Sequence, residues 1–245
     1  MPANCRAAVL TPRPTIDSAL HETQGPMNFT EKELIPAAAA FGVELTSVKC
    51  ELLQRYVRAI LAENAMTNVT AVRTEDEAAT RLVLDALAFG LHLREYPLPA
   101  DACLADYGSG GGFPGVVLGL VWPTWTVHLV ESRGRKLEAV RRALTGLPAD
   151  NIKLQHARMQ DMVAGSLANR CDVITCRAVG SLRESLKCAV PALKIGGSLV
   201  VWKSDPIEAK EIEQAIAAAA RCETLPPLQY TSFKPSQLFR FRRKS

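Results

Sequence analysis

A glycine-rich run between two apolar segments contains the residues best suited to hold a ligand. The run extends from Asp106 to Gly115 and reads DYGSGGGFPG. Glycines lack a Cβ atom, so the backbone can adopt positive φ angles and can approach a ligand closely. Pro114 suits the first turn of a helix that begins where the glycines end. The run therefore predicts a ligand-binding loop between a strand and a helix.

The glycine spacing fits two kinds of ligand. Gly110, Gly112 and Gly115 match the G-x-G-x-x-G pattern of dinucleotide-binding proteins. A second pattern, D-x-G-x-G-x-G, runs from Asp106 to Gly112 with Gly108 as its first glycine, and it resembles motif I of class I S-adenosylmethionine-dependent methyltransferases. A carboxylate near the middle of the ligand would repel a pyrophosphate and attract the sulfonium and ammonium groups of S-adenosylmethionine. The patterns favour this methyl donor, with a dinucleotide or no ligand as the alternatives.

Glu131 is a second candidate for ligand binding. It ends the next apolar segment, about 20 residues after the glycines, where an acidic side chain can accept hydrogen bonds from ribose hydroxyls. Both candidate ligands carry a ribose, so Glu131 predicts a nucleoside site without choosing between them. The alternative is that Glu131 only faces the start of the next helix.

Apolar strand patterns alternate with helical patterns through most of the C-terminal part. The expected strands are 102–107, 126–131, 152–156, 173–176 and 198–203. The expected helices are 114–121, 133–144, 180–193 and 206–220. Two further strand-like segments, 229–233 and 237–242, end the chain. This alternation predicts an α/β fold, a Rossmann-like and mainly parallel sheet with helices on both faces.

The region before residue 99 has a different character. Residues 1–26 contain several prolines and no helical period, so we expect a disordered extension. Residues 27–98 predict a helical segment packed on the core, with capping boxes that begin at Thr30 and Thr74. The capping box at Thr74 is expected to open a helix through about Leu91. Residues 99–245 then form the ligand-binding domain.

Composition excludes several classes of protein. The 245 residues are 48% hydrophobic with a net charge of +4, which disfavours a disordered chain. Seven cysteines without C-x-x-C spacing disfavour a zinc site and a disulfide framework, so we expect a reduced, cytoplasmic protein without metal. No apolar run approaches the ~20 residues that a membrane-spanning helix needs. We expect a monomer, because no apolar stripe calls for a partner.

Basic residues cluster in two places and fit phosphate contacts, or alternatively solvated surface. The first cluster comprises Arg133, Arg135, Lys136, Arg141 and Arg142. The second, in the C-terminal tail, comprises Lys234, Arg240, Arg242, Arg243 and Lys244.

Several motifs together resemble bacterial ribosomal RNA small subunit methyltransferase G, a family also called glucose-inhibited division protein B. The motifs are Asn68-Val69-Thr70-Ala71-Val72, then Arg81 with Asp85-Ala86-Leu87, the glycine run, Arg177-Ala178 and Lys203. The resemblance covers roughly residues 46–203. It implies methyl transfer from S-adenosylmethionine to N7 of a guanine in small-subunit (16S) ribosomal RNA, either naked or in an assembled subunit.

The resemblance also implies roles for individual residues. Gly108 and Phe113, with Gly110 and Asp106 of the same run, would line the donor pocket. Met159 and Gln160 would flank the adenosine end, and Arg177 would border the donor. The chain differs from the family's usual residues at Leu82, Ala86 and Gln160. These differences leave a non-catalytic or re-targeted protein of the same fold as an alternative, and a nicotinamide-dependent oxidoreductase as a third.

The remaining polar candidates have two interpretations each. Arg177 and Lys203 could hold RNA, or they could form a structural ion pair and a solvated lysine. Arg81 and Asp85 are one helical turn apart and could position the substrate or simply pair with each other. Guanine N7 has an exposed lone pair and no proton to lose, so the predicted reaction depends on positioning and desolvation rather than on a catalytic acid or base.

Overall fold

The computed structural model describes residues 28–163, 165–204 and 206–245, so the predicted extension at 1–26 lies outside the described residues. Seven strands form one sheet in this part of the chain. They are β1 Cys103–Tyr107, β2 Thr126–Glu131, β3 Ile152–His156, β4 Cys171–Arg177, β5 Leu193–Ser204, β6 Cys222–Thr231 and β7 Pro235–Arg243. Their order is β3-β2-β1-β4-β5-β7-β6.

The first five strands are parallel, and β7 lies antiparallel between β5 and β6. Helices separate successive parallel strands, so the predicted α/β class is confirmed. These helices are α6 Gly115–Val121, α7 Gly134–Ala143, α8 Met159–Val163 and α9 Leu182–Ala189, with α10 Ala209–Ala218 after β5. Five further α-helices precede them in the described part of the N-terminal segment.

Those N-terminal helices are α1 Glu31–Ala40, α2 Ser47–Thr67, α3 Glu75–Ala78, α4 Asp85–Leu87 and α5 Phe89–Glu95. A π-helical segment, Ala79–Leu84, joins α3 to α4. The continuous helix predicted from Thr74 to Leu91 is therefore wrong in detail. A π turn leaves backbone groups out of the regular ladder, and such turns are frequent at functional sites.

Of the two predicted capping boxes, the one at Thr74 forms in part and the one at Thr30 does not form. Thr74 caps α3, because its hydroxyl accepts a hydrogen bond from the Glu77 N–H (3.2 Å), but the Glu77 carboxylate accepts from the Arg73 N–H instead of from Thr74. Thr30 makes no side-chain cap. Glu33, the glutamate of this predicted box, accepts from the Asn28 N–H at 2.7 Å and not from the Thr30 N–H. In both cases the carboxylate reaches a residue one or two positions before the predicted one.

Strand β6 begins earlier than the sequence predicted, at Cys222 rather than near 229. Pro226 and Pro227 obscure the strand pattern, because proline cannot donate to a ladder. The structure accommodates them at the edge of the sheet, where the register with β7 shifts between Leu225 and Leu228. An edge strand needs partners on one side only, so the missing donors cost little there.

The sheet has an apolar cluster on each face. Side chains alternate along the strands: Leu104 and Val173 join one cluster, while Ala105 and Ile174 join the other. The N-terminal helices contribute residues such as Phe89 to the first cluster, together with the sheet. This shared core fixes the N-terminal segment beside the C-terminal ends of β4 and β5.

His92 is an unusual member of this packing. Its ring is fully buried between Phe89 and Tyr96, with ring centroids 5.5 Å away on each side, and neither ring nitrogen has a hydrogen-bond partner. Burial lowers the pKa of His92 from 6.5 to about 3, and the positive charges of Arg240 and Arg242 act in the same direction. The folded protein therefore holds His92 neutral.

Replacing His92 should make the fold less sensitive to acid. Between pH 6.5 and 3 the unfolded chain binds a proton at His92 that the folded chain does not, so stability falls as pH falls through this range. This one group accounts for a loss of about 2 kcal/mol between pH 7 and 5. Urea denaturation of wild type and His92→Phe at both pH values should show a smaller acid loss in the variant. Equal losses would contradict the buried, neutral histidine.

Candidate functional site

A cavity of about 700 Å³ opens at the C-terminal ends of β1, β2 and β4. The sheet order places β2 on one side of β1 and β4 on the other, so the chain leaves these neighbouring strands in opposite directions. This arrangement creates a crevice where open α/β sheets bind ligands. The volume lies within the range of small-molecule sites. The predicted loop therefore lies at the one place in the fold where a crevice is expected.

The glycine run forms one wall of this cavity through its backbone. Gly108, Gly110 and Gly112 have φ angles of +68°, +55° and +84°, a region that other residues rarely adopt. A Cβ atom on Gly108 would also lie 2.4 Å from the Val179 side chain. Gly108 is therefore required twice, for its conformation and for the close approach to the loop after β4.

Asp106 departs from the prediction that it contacts the ligand. Its side chain is fully buried under the loop and accepts hydrogen bonds from the Gly115 N–H (2.9 Å) and the Thr175 hydroxyl (2.8 Å). Burial raises the pKa of Asp106 from 3.8 to about 6. The carboxylate thus joins β1, β4 and the start of α6. A buried carboxylate with these partners does not face the cavity, so its charge does not select between the two candidate ligands.

Glu131 is the acidic residue that borders the cavity. One carboxylate oxygen accepts from the Gly110 N–H (3.0 Å) and the other from the Arg133 N–H (2.8 Å). It thereby ties the glycine loop to the start of α7. The predicted contact with ribose hydroxyls stays a prediction. The alternative, that Glu131 faces the start of the next helix, is present as the hydrogen bond from the Arg133 N–H.

The other predicted donor residues divide into two groups. Gly108, Gly110, Phe113, Gln160 and Arg177 all line the cavity. The Met159 side chain does not, because α8 turns it into the apolar cluster on the second face of the sheet. The predicted contact through that side chain is therefore corrected, while its neighbour Gln160 faces the cavity.

The N-terminal segment supplies a wall that our residue assignments missed. Val69 and Thr70 line the cavity opposite the sheet. Buried Asn64 shapes this turn by accepting from the Thr70 N–H (3.0 Å) and donating to the Val72 carbonyl (3.1 Å). Only the N-x-T-A motif of the resemblance signalled this region. Tyr56 adds a second link, because its hydroxyl donates to the Gly111 carbonyl at 2.7 Å.

A second cavity of about 350 Å³ adjoins the first. Thr70, Leu82, Arg177 and Ala178 border both cavities. Two cavities with a common wall can bring two reactants together.

Arg177 is held in that common wall by two hydrogen bonds. Its guanidinium donates to the Asp85 carboxylate (2.7 Å) and to the Arg81 carbonyl in the π segment (2.6 Å). Asp85 is itself buried and accepts from the Tyr230 hydroxyl (2.5 Å). The Trp202 indole donates to the Asp85 carbonyl (2.8 Å). The predicted alternative of a structural ion pair for Arg177 is thus present, with Asp85 as its partner.

Arg81 and Lys203 make different contacts from those expected. The predicted Arg81–Asp85 pair does not form, because Arg81 pairs with Glu77 on the preceding turn. Lys203 pairs with Glu211 at 2.9 Å and also donates to the Gly180 carbonyl. Both residues still line the second cavity.

The basic tail is divided between the interior and the surface. Arg240 is buried and pairs with Glu95 at 3.0 Å. Half-buried Arg243 donates to the Asn169 side chain at 2.5 Å. Lys234, Arg242 and Lys244 are exposed. Burial therefore corrects the predicted phosphate contact for Arg240, and that contact stays a prediction for the exposed cations.

The first basic cluster remains largely on the surface. Arg133 and Lys136, joined by Arg158, line the mouth of the large cavity. Arg141 and Arg142 form ion pairs with glutamates of α7 and α2. Three cations at the mouth of a cavity form a positive rim that fits an anionic polymer. Within the described residues, no group of side chains is arranged for a metal ion and no helix is long and apolar enough to cross a membrane.

The sheet order, with a glycine loop and an acidic strand end at the crevice, is that of a class I methyltransferase. Solved structures support the fold: TrmN from Thermus thermophilus aligns with a TM-score of 0.52 at 15% identity, over 67% of this chain and 53% of that one. A crystal structure of MtNAS in complex with MTA and tNA aligns with a TM-score of 0.55 at 11% identity, over 78% and 73%.

Sequence comparisons then identify the family. The family model of rRNA small subunit methyltransferase G matches residues 49–237. Ribosomal RNA small subunit methyltransferase G of Chloroflexus aggregans is 36% identical over 78% of this chain and 77% of its own length. The protein of the same name from Halorhodospira halophila is 34% identical over 76% and 85%. The chain belongs to the rRNA small subunit methyltransferase G family, and the predicted resemblance is confirmed.

A methyl group on Gly108 should weaken ligand binding while leaving the fold intact. Gly108→Ala adds left-handed strain and forces Val179 away from the loop. Gly146→Ala is a matched control, since Gly146 has a φ of +76° in a remote turn and space for a Cβ. Calorimetry with S-adenosylhomocysteine should show affinity at least tenfold weaker for Gly108→Ala, a cost of about 1.4 kcal/mol or more. Equal affinities of the two variants would contradict the close approach at Gly108.

Proposed function

We propose that the chain transfers a methyl group from S-adenosylmethionine to N7 of a guanine in small-subunit (16S) ribosomal RNA. The observation that carries this proposal is the large cavity at the glycine loop, in a chain whose family is named for methylation of that RNA. Three features support it further: the backbone wall at Gly108, the adjoining second cavity and the positive rim at the mouth.

The residues of the large cavity fit the methyl donor. Gly108 has no side chain, so its main chain is open to a ligand. Phe113 adds an apolar surface to the same wall. Glu131 offers an acidic edge within reach of a ribose. When bound, S-adenosylmethionine supplies a methyl group on a sulfonium, which a lone pair can take while the electrons of the carbon–sulfur bond stay on sulfur. Gln160 borders the same cavity on the side of α8.

Guanine N7 needs little from the protein beyond position. Its lone pair attacks without prior loss of a proton, so a general base is unnecessary. The chain's task is to hold N7 in line with the donor and to exclude water. Arg177 and Ala178 lie between the two cavities and are the residues best placed to fix this alignment. Asp85 acts through Arg177 as a positioning residue.

We also propose that one chain forms the whole site, as a cytoplasmic monomer. Residues 27–98 would act as a helical wall and residues 99–245 as the donor-binding domain. The support is that Val69, Thr70 and Leu82 line the same cavity as the glycine loop of their own chain.

The direct test is transfer of labelled methyl groups to small subunits that lack the modification and to their naked RNA. Label should enter RNA, and strand cleavage specific for 7-methylguanosine should locate it at one guanine. A chain that labels a pyrimidine or protein, or that binds a nicotinamide dinucleotide instead of S-adenosylhomocysteine, would refute the proposal.

Neutralising the positive rim should weaken RNA binding. Lys136→Gln removes one cation at the cavity mouth. Arg170→Gln is the control, because this exposed cation lies just before β4, at the end of the strand opposite to the cavity. RNA binding should be measured over a range of salt concentrations. The slope of log K against log[salt] should be smaller by about one unit for Lys136→Gln and unchanged for Arg170→Gln. An unchanged slope would show that RNA avoids this rim.

A further inference from the structure

The second cavity has three aromatic residues in its lining, and they differ in exposure. Trp202 and Tyr230 are buried, and their polar atoms are tied to Asp85. Phe233 is 43% exposed in the turn between β6 and β7. A large apolar ring exposed beside a cavity is a ready contact for a ligand, because its burial on binding is favourable. The fold thus leaves a large part of the Phe233 ring open to a ligand.

Two cations lie against the Phe233 ring. The guanidinium carbon of Arg81 is 4.7 Å from the ring centroid, and the Lys234 amine is 5.4 Å away. Arg81 stands on the π segment, so this contact connects the turn to the opposite wall of the cavity. The guanidinium lies over the face of the ring, so the two planar groups form a stacked layer at the edge of the cavity, with the Lys234 amine close to the same ring.

Such a surface suits one kind of ligand. Single bases of RNA stack on aromatic rings and on arginine planes, and enzymes that modify a base commonly take it out of its stack into a pocket. The volume of about 350 Å³ suits one base with its sugar better than a helix or a peptide. A base placed here would have one edge at Arg177 and Ala178, the border with the donor cavity.

We propose that the second cavity binds the target guanine, unstacked from the RNA, and that Phe233 with Arg81 forms its stacking wall. Lys234 then contacts the adjoining phosphate. This inference rests on the proposed function and adds to it the residues that select a single, unpaired base. Because the wall is contributed by the β6–β7 turn, a segment far from the glycine loop takes part in the same reaction.

The test compares Phe233→Ala with Phe233→Tyr, which keeps the ring. Loss of one stacking contact, worth roughly 1–3 kcal/mol, should lower kcat/KM for small subunits about 5-fold to 150-fold in Phe233→Ala. Phe233→Tyr should stay within about threefold of wild type, since the π-face is retained. Calorimetric affinity for S-adenosylhomocysteine should be the same for all three proteins. Ile195→Ala, at an exposed apolar residue on the opposite end of β5, is the control and should behave as wild type.

Each outcome has a distinct meaning. If wild type methylates guanine N7 and Phe233→Ala matches it, the stacking wall is refuted and the proposed function stands. If Phe233→Ala loses donor affinity as well, the ring supports the fold and the proposal is overturned. If wild type methylates no guanine in small-subunit RNA, the proposed function fails, and this inference fails with it. Support requires loss of kcat/KM in Phe233→Ala alone, with rescue by tyrosine.

Discussion

The ion pair between Asp85 and Arg177 is the interaction on which the site depends most. It connects the N-terminal helical segment to the end of β4, with the two side chains 2.7 Å apart. The Asp85 carboxylate also accepts a hydrogen bond from the Tyr230 hydroxyl, so it connects the helical segment to β6 as well. Removing Arg177 would leave the buried Asp85 carboxylate without its cation, which is unfavourable, whereas Arg177 itself is partly exposed to the cavities. The common wall of the two cavities would lose its shape with that pair.

A second buried carboxylate supports the other side of the site. Asp106 holds the end of β1, the hydroxyl of Thr175 on β4 and the first turn of α6. The glycines above it can then expose their backbone to a ligand. The two aspartates therefore support different parts of the site. Asp106 supports the glycine loop, and Asp85 holds Arg177 in the common wall of the two cavities. Neither needs to touch a reactant to be required for the reaction.

Much of this organisation could be predicted from the sequence. The parallel strands appear as short apolar runs, so β2 and β3 were predicted with the bounds that the structure shows. Local rules failed where partners are distant in sequence. The spacing of Arg81 and Asp85 suggested an ion pair between positions i and i+4. Asp85 instead pairs with Arg177, 92 residues away in the sequence. Asp106 was expected beside the ligand and Arg240 at an RNA phosphate, yet tertiary contacts bury both side chains.

In the proposed reaction, the donor and the target guanine occupy adjoining cavities on the two sides of Arg177 and Ala178. The most direct measurement is a structure of the protein bound to S-adenosylhomocysteine and an unmethylated small subunit. We expect sulfur in the glycine-loop cavity and one unstacked guanine in the second cavity, with N7 facing the sulfur across the common wall. A guanine bound elsewhere, or another base in that cavity, would contradict it.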